Sequence, residues 1–377
     1  MDQQKKSVKP FLEYDELINK LAKRGMILDS PLRAQRKLTQ VGYYRLSGYW
    51  SPALKYKKND EGVYEKLNEF RPNTSFESVF ELYLFDKKLR LELTCAIERI
   101  EVFLRTIIAH ELGRLDPLAH KIKRHFSKDS FAIRDGEKHS DFDQWHIKHD
   151  ALLENSREDS IRSHLSSGKP IPIWVACEAW SFGTISKLYS MLNGSTQMLI
   201  CEKIGIDNRK VLDNWLININ GIRNRCAHHS RVFNRPNVRA LILPRTGYFN
   251  LLNLDQTALK KIYGIICVIW FLVSKIGKTS NWICRIADLI DSKPNVSGLT
   301  FASMGFSTDG FPRKLFPQIT PPPSPIPRTL NQELKDFILT LDSFSQNELS
   351  HLKEDIADED IEKVFDLAMR LEMAKAT

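Results

Sequence analysis

The strongest constraint on the fold is a run of apolar residues at helical spacing from Thr74 to about Leu112. Val79, Phe80, Leu84, Leu89, Leu93, Ile97, Ile100, Phe103, Ile107 and Ile108 recur along it and mark a buried stripe on one long helix, with room for a single kink. Thr74 and Glu77 have capping-box spacing at its start. Further helical patterns run over 11–24, from Pro31 (behind Ser30 as N-cap) towards Gly42, over 172–192 and over 196–206. Another covers 208–223 behind Asp207 as N-cap, and a last pair covers about 256–276 and 280–292. Alternating strand patterns are almost absent and nothing repeats. The expected fold is an all-α helical bundle.

Punctuation divides the chain further. Residues 1–55 read as a small N-terminal helical unit and 56–311 as the bundle. Within the bundle, the Lys- and Asn-rich stretch 56–73 reads as a loop with room for a short hairpin, and 116–170 as a loop-and-helix excursion. Seven of the seventeen prolines lie between Pro312 and Pro327, so 312–328 reads as a stiff, extended linker. Residues 329–377 read as an acidic helical tail, with Ser345 and Glu348 at capping-box spacing.

Charge and cysteine usage narrow the function classes. The net charge is +9. From Thr329 onward twelve acidic and five basic residues sum to −7, so the preceding 328 residues carry 9 + 7 = +16. A body this basic points to a polyanion, nucleic acid before an anionic membrane surface; a solvated basic surface with no dedicated ligand is the plain alternative. The longest apolar run, IYGIICVIWFLV (262–273), is too short to span a bilayer. The first residues lack the apolar segment of a signal peptide. Six cysteines stand singly, without zinc or redox spacing. The expectation is a cytoplasmic protein with free thiols and no membrane partner.

The densest chemistry is GIRNRCAHHSRVFNR at 221–235, which holds four arginines and two adjacent histidines at the end of the helix over 208–223. Arg223 and His228 are five residues apart. Five steps of about 100° turn a side chain by roughly 140°, so the two cannot share a face of one α-helix. Either the helix ends between them or a second copy supplies the missing partner. An arginine and a histidine without an organised set of carboxylates suit cleavage of RNA at its own 2′-hydroxyl. Neutral imidazole takes the 2′-OH proton and imidazolium protonates the leaving 5′-oxygen, while a guanidinium stabilises the charge growing on the phosphorus oxygens. The nucleophile belongs to the substrate, so no metal or other cofactor is expected. Arg225, Arg231 and Arg235 would hold flanking phosphates. The competing reading is a basic helix end in which Arg223 pairs with a carboxylate and His228 caps a carbonyl. His229 competes with His228 and chemistry alone does not separate them.

RNRCAHHSRVFNR resembles the signature of the Abi-like (abortive infection, AbiD/AbiF-type) bacterial proteins, whose HEPN domain carries an Arg-polar-xxx-His ribonuclease motif. LTQVGYYRLSGYWSP (38–52), LFDKKLRLELTCAIERIEVFLRT (84–106), WSFGTISKLY (180–189) and MGFSTDGFPRKLF (304–316) are similar to further stretches of that family, so the resemblance spans roughly residues 10–316. It implies that Arg223 and His228 are catalytic and that Asn224 is the polar residue after the arginine. It also implies a homodimer bringing two motifs to one cleft, and a growth-arresting toxin in phage defence. Some relatives are restrained by a small non-coding RNA. The rival from another class is a non-catalytic protein holding a structured RNA in the same basic cleft.

Other stretches carry candidate site residues. GYYRLSGYW (42–50) interleaves aromatics with Arg45, which suits base stacking by Tyr44 beside a phosphate contact, or packing of the N-terminal unit. DFDQWHIKHD (141–150) could place His146 and His149 on one face, but a solvated surface is the expected fate of such a cluster and no metal site is assigned. Glu98 or Arg99 could line the cleft from the facing helix, against a default of local ion pairs with Glu101 and Arg105. The Trp and Cys residues at 174–180 and 267–284 read as core. The acidic tail could cover the basic groove; unchanged RNA affinity and cleavage after truncation at about Arg328 would rule that out.

Overall fold

Capping chemistry starts the N-terminal helices. A computed structural model describes residues 8–245, 247–277 and 279–316. After α1 (Tyr14–Lys23), α2 (Pro31–Val41) opens with Ser30 Oγ accepting the Arg33 N–H and Pro31 in the first turn. Gly42, at φ 88°, separates α2 from α3 (Tyr43–Trp50), a backbone conformation that suits glycine. The stretch over 56–73, read as a loop with room for a short hairpin, does form an antiparallel hairpin from β1 (Leu54–Lys58) and β2 (Tyr64–Phe70), pairing Leu54 with Phe70 and Lys58 with Tyr64. Its turn is organised by Asn59, whose side chain accepts the Val63 N–H at 2.8 Å.

The long stripe becomes α4 (Phe76–Leu115), an unbroken helix of 40 residues and about 60 Å. Its cap lies one residue later than the spacing predicts. Ser75 Oγ accepts the Ser78 N–H at 3.1 Å, because the Thr74 hydroxyl is buried and donates to the Arg71 carbonyl at 2.8 Å. Asp116, preceding Pro117, is extended and ends the helix. Leu89, Leu93, Ile100, Leu104 and Ile108 are fully buried along α4, each worth about 1.5–3 kcal/mol of apolar burial.

The excursion 116–170 contains α5 (Asp141–Glu154), capped by Ser140 and Asp143, and α6 (Asp159–Ser167). The helix expected over 172–192 is broken in two. α7 (Ile173–Ala176) and a 3₁₀ turn lead to an extended Trp180, and Ser181 recaps α8 (Phe182–Met191). α9 (Gly194–Ile204) follows, and α10 (Arg209–Ala227) is capped by Asn208 rather than Asp207. After α11 (Tyr248–Leu252), an extended Lys261 splits the next expected helix into α12 (Gln256–Lys260) and α13 (Ile262–Ile276). Gly264 lets α13 start hard against α12: a Cβ there would lie 2.5 Å from the Ala258 carbonyl oxygen. α14 (Trp282–Asp291) completes the helices.

α4 is the axis of the bundle. It packs against α3, α7, α8, α9, α10, α13 and α14, and the buried side chains form one contiguous core. The fold is an all-α bundle, with one small two-stranded sheet among the described residues. The described residues, N-terminal helices included, belong to one compact unit. Most of the Pro-rich linker and the whole acidic tail lie outside the described residues. Among the described residues no helix is long and apolar enough to cross a membrane.

Two expectations about side chains are corrected. The 141–150 cluster is not a solvated surface throughout, because α5 turns Phe142, Trp145 and His149 into the core. His149 is fully buried, stacks on Trp145 with ring centroids 4.9 Å apart, and accepts the Trp180 indole N–H at 2.9 Å. No cluster of three or more metal-ligating side chains forms among the described residues. Trp180, Cys177, Cys267 and Trp282 are core as expected, but Trp174 is 51% exposed, beside Thr106, His110 and Gly113. All six cysteines are free thiols.

Candidate functional site

α10 carries the arginine–histidine stretch to its C-terminal end. Val211, Leu212, Trp215, Leu216, Ile219 and Ile222 are buried and seat it on the bundle. Two polar residues on the same helix bind the returning chain. Asn214 donates to the Ala240 carbonyl and accepts the Ile242 N–H, both at 3.0 Å, and Asn218 accepts the Arg239 N–H at 3.0 Å. The Trp215 indole adds a bond to the Ile242 carbonyl at 2.8 Å. Sequence reading passed over this pair. Its signal was present, since two asparagines four apart inside an apolar helix need partners when buried.

The helix ends between the two residues singled out. Its last residue is Ala227 and His228 is the C-cap. The His229 N–H donates to the Cys226 carbonyl at 3.1 Å and the Ser230 N–H to the Arg225 carbonyl at 2.8 Å, the two bonds of a Schellman ending. His229 occupies the left-handed position of that ending, with φ 54°, where glycine is usual. A side chain there costs roughly 1–2 kcal/mol. His228, His229 and Asn224 are exposed.

Arg223 faces α4. It lines a cleft of about 360 Å³ with Ala227 and, from α4, Thr94, Ile97, Glu98, Glu101, Val102 and Arg105. Glu98 therefore does face Arg223, whereas Arg99 turns away and donates to Ser280 Oγ at 3.1 Å. Arg105 is held by Glu101 at 2.7 Å and by the Trp180 carbonyl. Arg223 makes no ion pair among the described residues. The His228 side chain does not line the cleft, so a single chain does not bring Arg223 and His228 together there.

The expected RNA-contacting residues divide into two kinds. Arg45, on α3, is exposed but donates to the His229 carbonyl at 2.7 Å, so it holds the exit loop of α10. Arg231 is partly buried, donates to the Gly48 carbonyl and lies 5.9 Å over the Tyr49 ring. Arg235 and Tyr44 are exposed, the latter by 74%. Around this loop positive groups accumulate, offset in part at Arg231 by the Asp86 carboxylate. Burial and then Arg235 hold the guanidiniums of Arg225 and Arg231 below their ordinary range. Burial and then Arg231 do the same to the Lys261 ammonium, and burial, Arg24 and Arg231 to that of Lys66. Lys66, Lys261 and Arg24 come from distant segments, and no local pattern marked them.

Comparison with protein families matches the model described as Abi-like protein over residues 36–234. That is 234 − 36 + 1 = 199 of the 377 residues, just over half the chain. The matched span runs from α2 to the loop after α10 and stops short of 304–316. No curated protein and no solved structure matches the chain.

Proposed function

The chain belongs to the Abi-like protein family, and we propose that it is a metal-independent HEPN-type endoribonuclease acting in phage defence by abortive infection. The observation that carries this reading is the end of α10, where Arg223, without an ion pair among the described residues, and two exposed histidines lie within seven residues beside a concentration of positive charge. His228 is the general acid and base, with His229 its neighbour and competitor. Arg223 stabilises the negative charge of the transition state, and Asn224 is the polar residue of the motif. Arg225 and Arg235 hold flanking phosphates. Two copies of the chain complete the site, because Arg223 faces α4 while His228 stands at the helix end. A small non-coding RNA restrains the activity.

A second reading, a non-catalytic protein that holds a structured RNA, is favoured by one observation: His228 does not line the cleft that Arg223 shares with α4. Both readings expect RNA affinity that falls steeply with salt. The deciding experiment is incubation of single-stranded and structured RNAs in excess EDTA with the intact chain and with His228→Ala. New 2′,3′-cyclic phosphate ends made by the intact chain and absent with the variant support the enzyme. Tight binding with intact RNA in both reactions supports the binding module.

A further inference from the structure

Three stretches far apart in the chain meet at one buried carboxylate. Asp86, on α4, is fully enclosed. One of its oxygens accepts the Tyr49 hydroxyl of α3 at 2.6 Å and the Arg90 guanidinium one turn along α4. The other accepts the backbone N–H of Phe233 at 2.7 Å and that of Val232 at 3.2 Å. Two carboxylate oxygens offer about four acceptor sites, so these four donors fill them. Val232 and Phe233 belong to the loop that leaves α10, 146 and 147 residues away in sequence.

That loop is pinned at both ends. The Schellman ending fixes residues 228–230, and Asp86 fixes 232 and 233. Arg45 donates to the His229 carbonyl and Arg231 to the Gly48 carbonyl, so α3 grips the same loop from its own side. A buried ion pair is a costly way to gain stability, since desolvation consumes most of the attraction. What it provides in return is direction: four donors must lie at set positions around one carboxylate. Apolar packing would hold α3, α4 and the loop together without setting the backbone at 229 in a left-handed conformation.

We propose that Asp86 is the positioning residue of the candidate site: through the amides of Val232 and Phe233 it fixes the loop on which His228 and His229 stand, and it makes α3 a working part of that site. Its kinetic consequence rests on the ribonuclease reading above; its structural consequence does not.

The test uses the full chain with Asp86→Asn, which keeps the volume but removes the charge and opposes an NH₂ to two donors. Tyr49→Phe removes one donor while leaving the packing intact, and decides the matter should the first variant fail to fold. Hydrogen–deuterium exchange is followed in a peptide covering residues 228–236, with a peptide from α13 as control. The expected result is exchange at least about tenfold faster in the loop for Asp86→Asn and severalfold faster for Tyr49→Phe, with the α13 peptide unchanged. RNA cleavage should show kcat reduced and KM nearly unchanged. Loop exchange that stays as slow as in the parent, or that rises only in step with α13, overturns the proposal. A parent chain that cleaves no RNA overturns the ribonuclease reading alone and leaves the exchange result to decide the positioning role.

Discussion

Lowering the pH from 7.5 to 5 should destabilise this fold through two histidines that are far from the exposed pair. His120 and His149 are fully buried, with ring centroids 5.1 Å apart, beside Trp145 and Trp180. Both His120 ring nitrogens and Nε2 of His149 have no hydrogen-bond partner among the described residues. Burial holds His120 at about 3 and His149 at about 4, below the ordinary 6.5; His149, then Lys121 and His146, push His120 further down, and Lys121 and His146 lower His149 while Asp150 works against them. Unfolding releases both rings to the ordinary value. Each folded value is depressed, so the stability is fully present above about pH 6.5 and falls as the pH drops towards the folded values. At pH 5 the unfolded rings have taken protons and the folded ones have not. At about 1.4 kcal/mol per pH unit over about 1.5 units, the loss is about 2 kcal/mol per histidine and about 4 kcal/mol together. Against a total of roughly 5–15 kcal/mol for a folded domain, that is a large fraction.

The assay is urea or thermal unfolding at pH 7.5 and 5, comparing the parent with the double variant His120→Phe and His149→Gln. Phenylalanine suits a ring that makes no hydrogen bond, and glutamine keeps an acceptor for the Trp180 indole. Carboxylates titrate in both proteins, so the difference between their pH dependences isolates the pair. The parent should lose about 4 kcal/mol more than the variant. Equal losses would refute the claim that two neutral imidazoles are held in the core.

Arg235→Ala should weaken RNA binding and reduce the salt slope by about one without changing the melting temperature, whereas Arg231→Ala should also lower the melting temperature, because it loses the Gly48 carbonyl and its place over Tyr49. Filter binding across a salt series and thermal melts separate the two, and identical behaviour would contradict the division. His229→Gly should raise stability by up to about 1 kcal/mol, since glycine suits the left-handed position of the helix ending, and urea unfolding measures it.

Periodicity, caps and breakers act within a few residues, and what they control was legible in the sequence. The α4 stripe, the Ser30–Pro31 start of α2 and the all-α architecture follow from them. The same spacing showed that Arg223 and His228 cannot share a face of one helix, and it left a helix end between them or a second copy of the chain as the two ways to join them. Where a local signal misled, a distant or competing partner had taken the group: the Arg71 carbonyl took the Thr74 hydroxyl and moved the α4 cap to Ser75, and Trp180 gave His149 a buried partner in place of solvent. Family resemblance marked 38–52, 84–106 and 223–235 separately. That Asp86 joins them through Tyr49, Val232 and Phe233 is decided only by the packing of α3 and α10 on α4. The same packing turned Arg45 and Arg231 towards backbone carbonyls and brought Lys66 and Lys261 near the loop. Contacts across well over a hundred residues carry no local pattern, because nothing in the spacing of one segment records which distant donor will meet its acceptor once the core has closed.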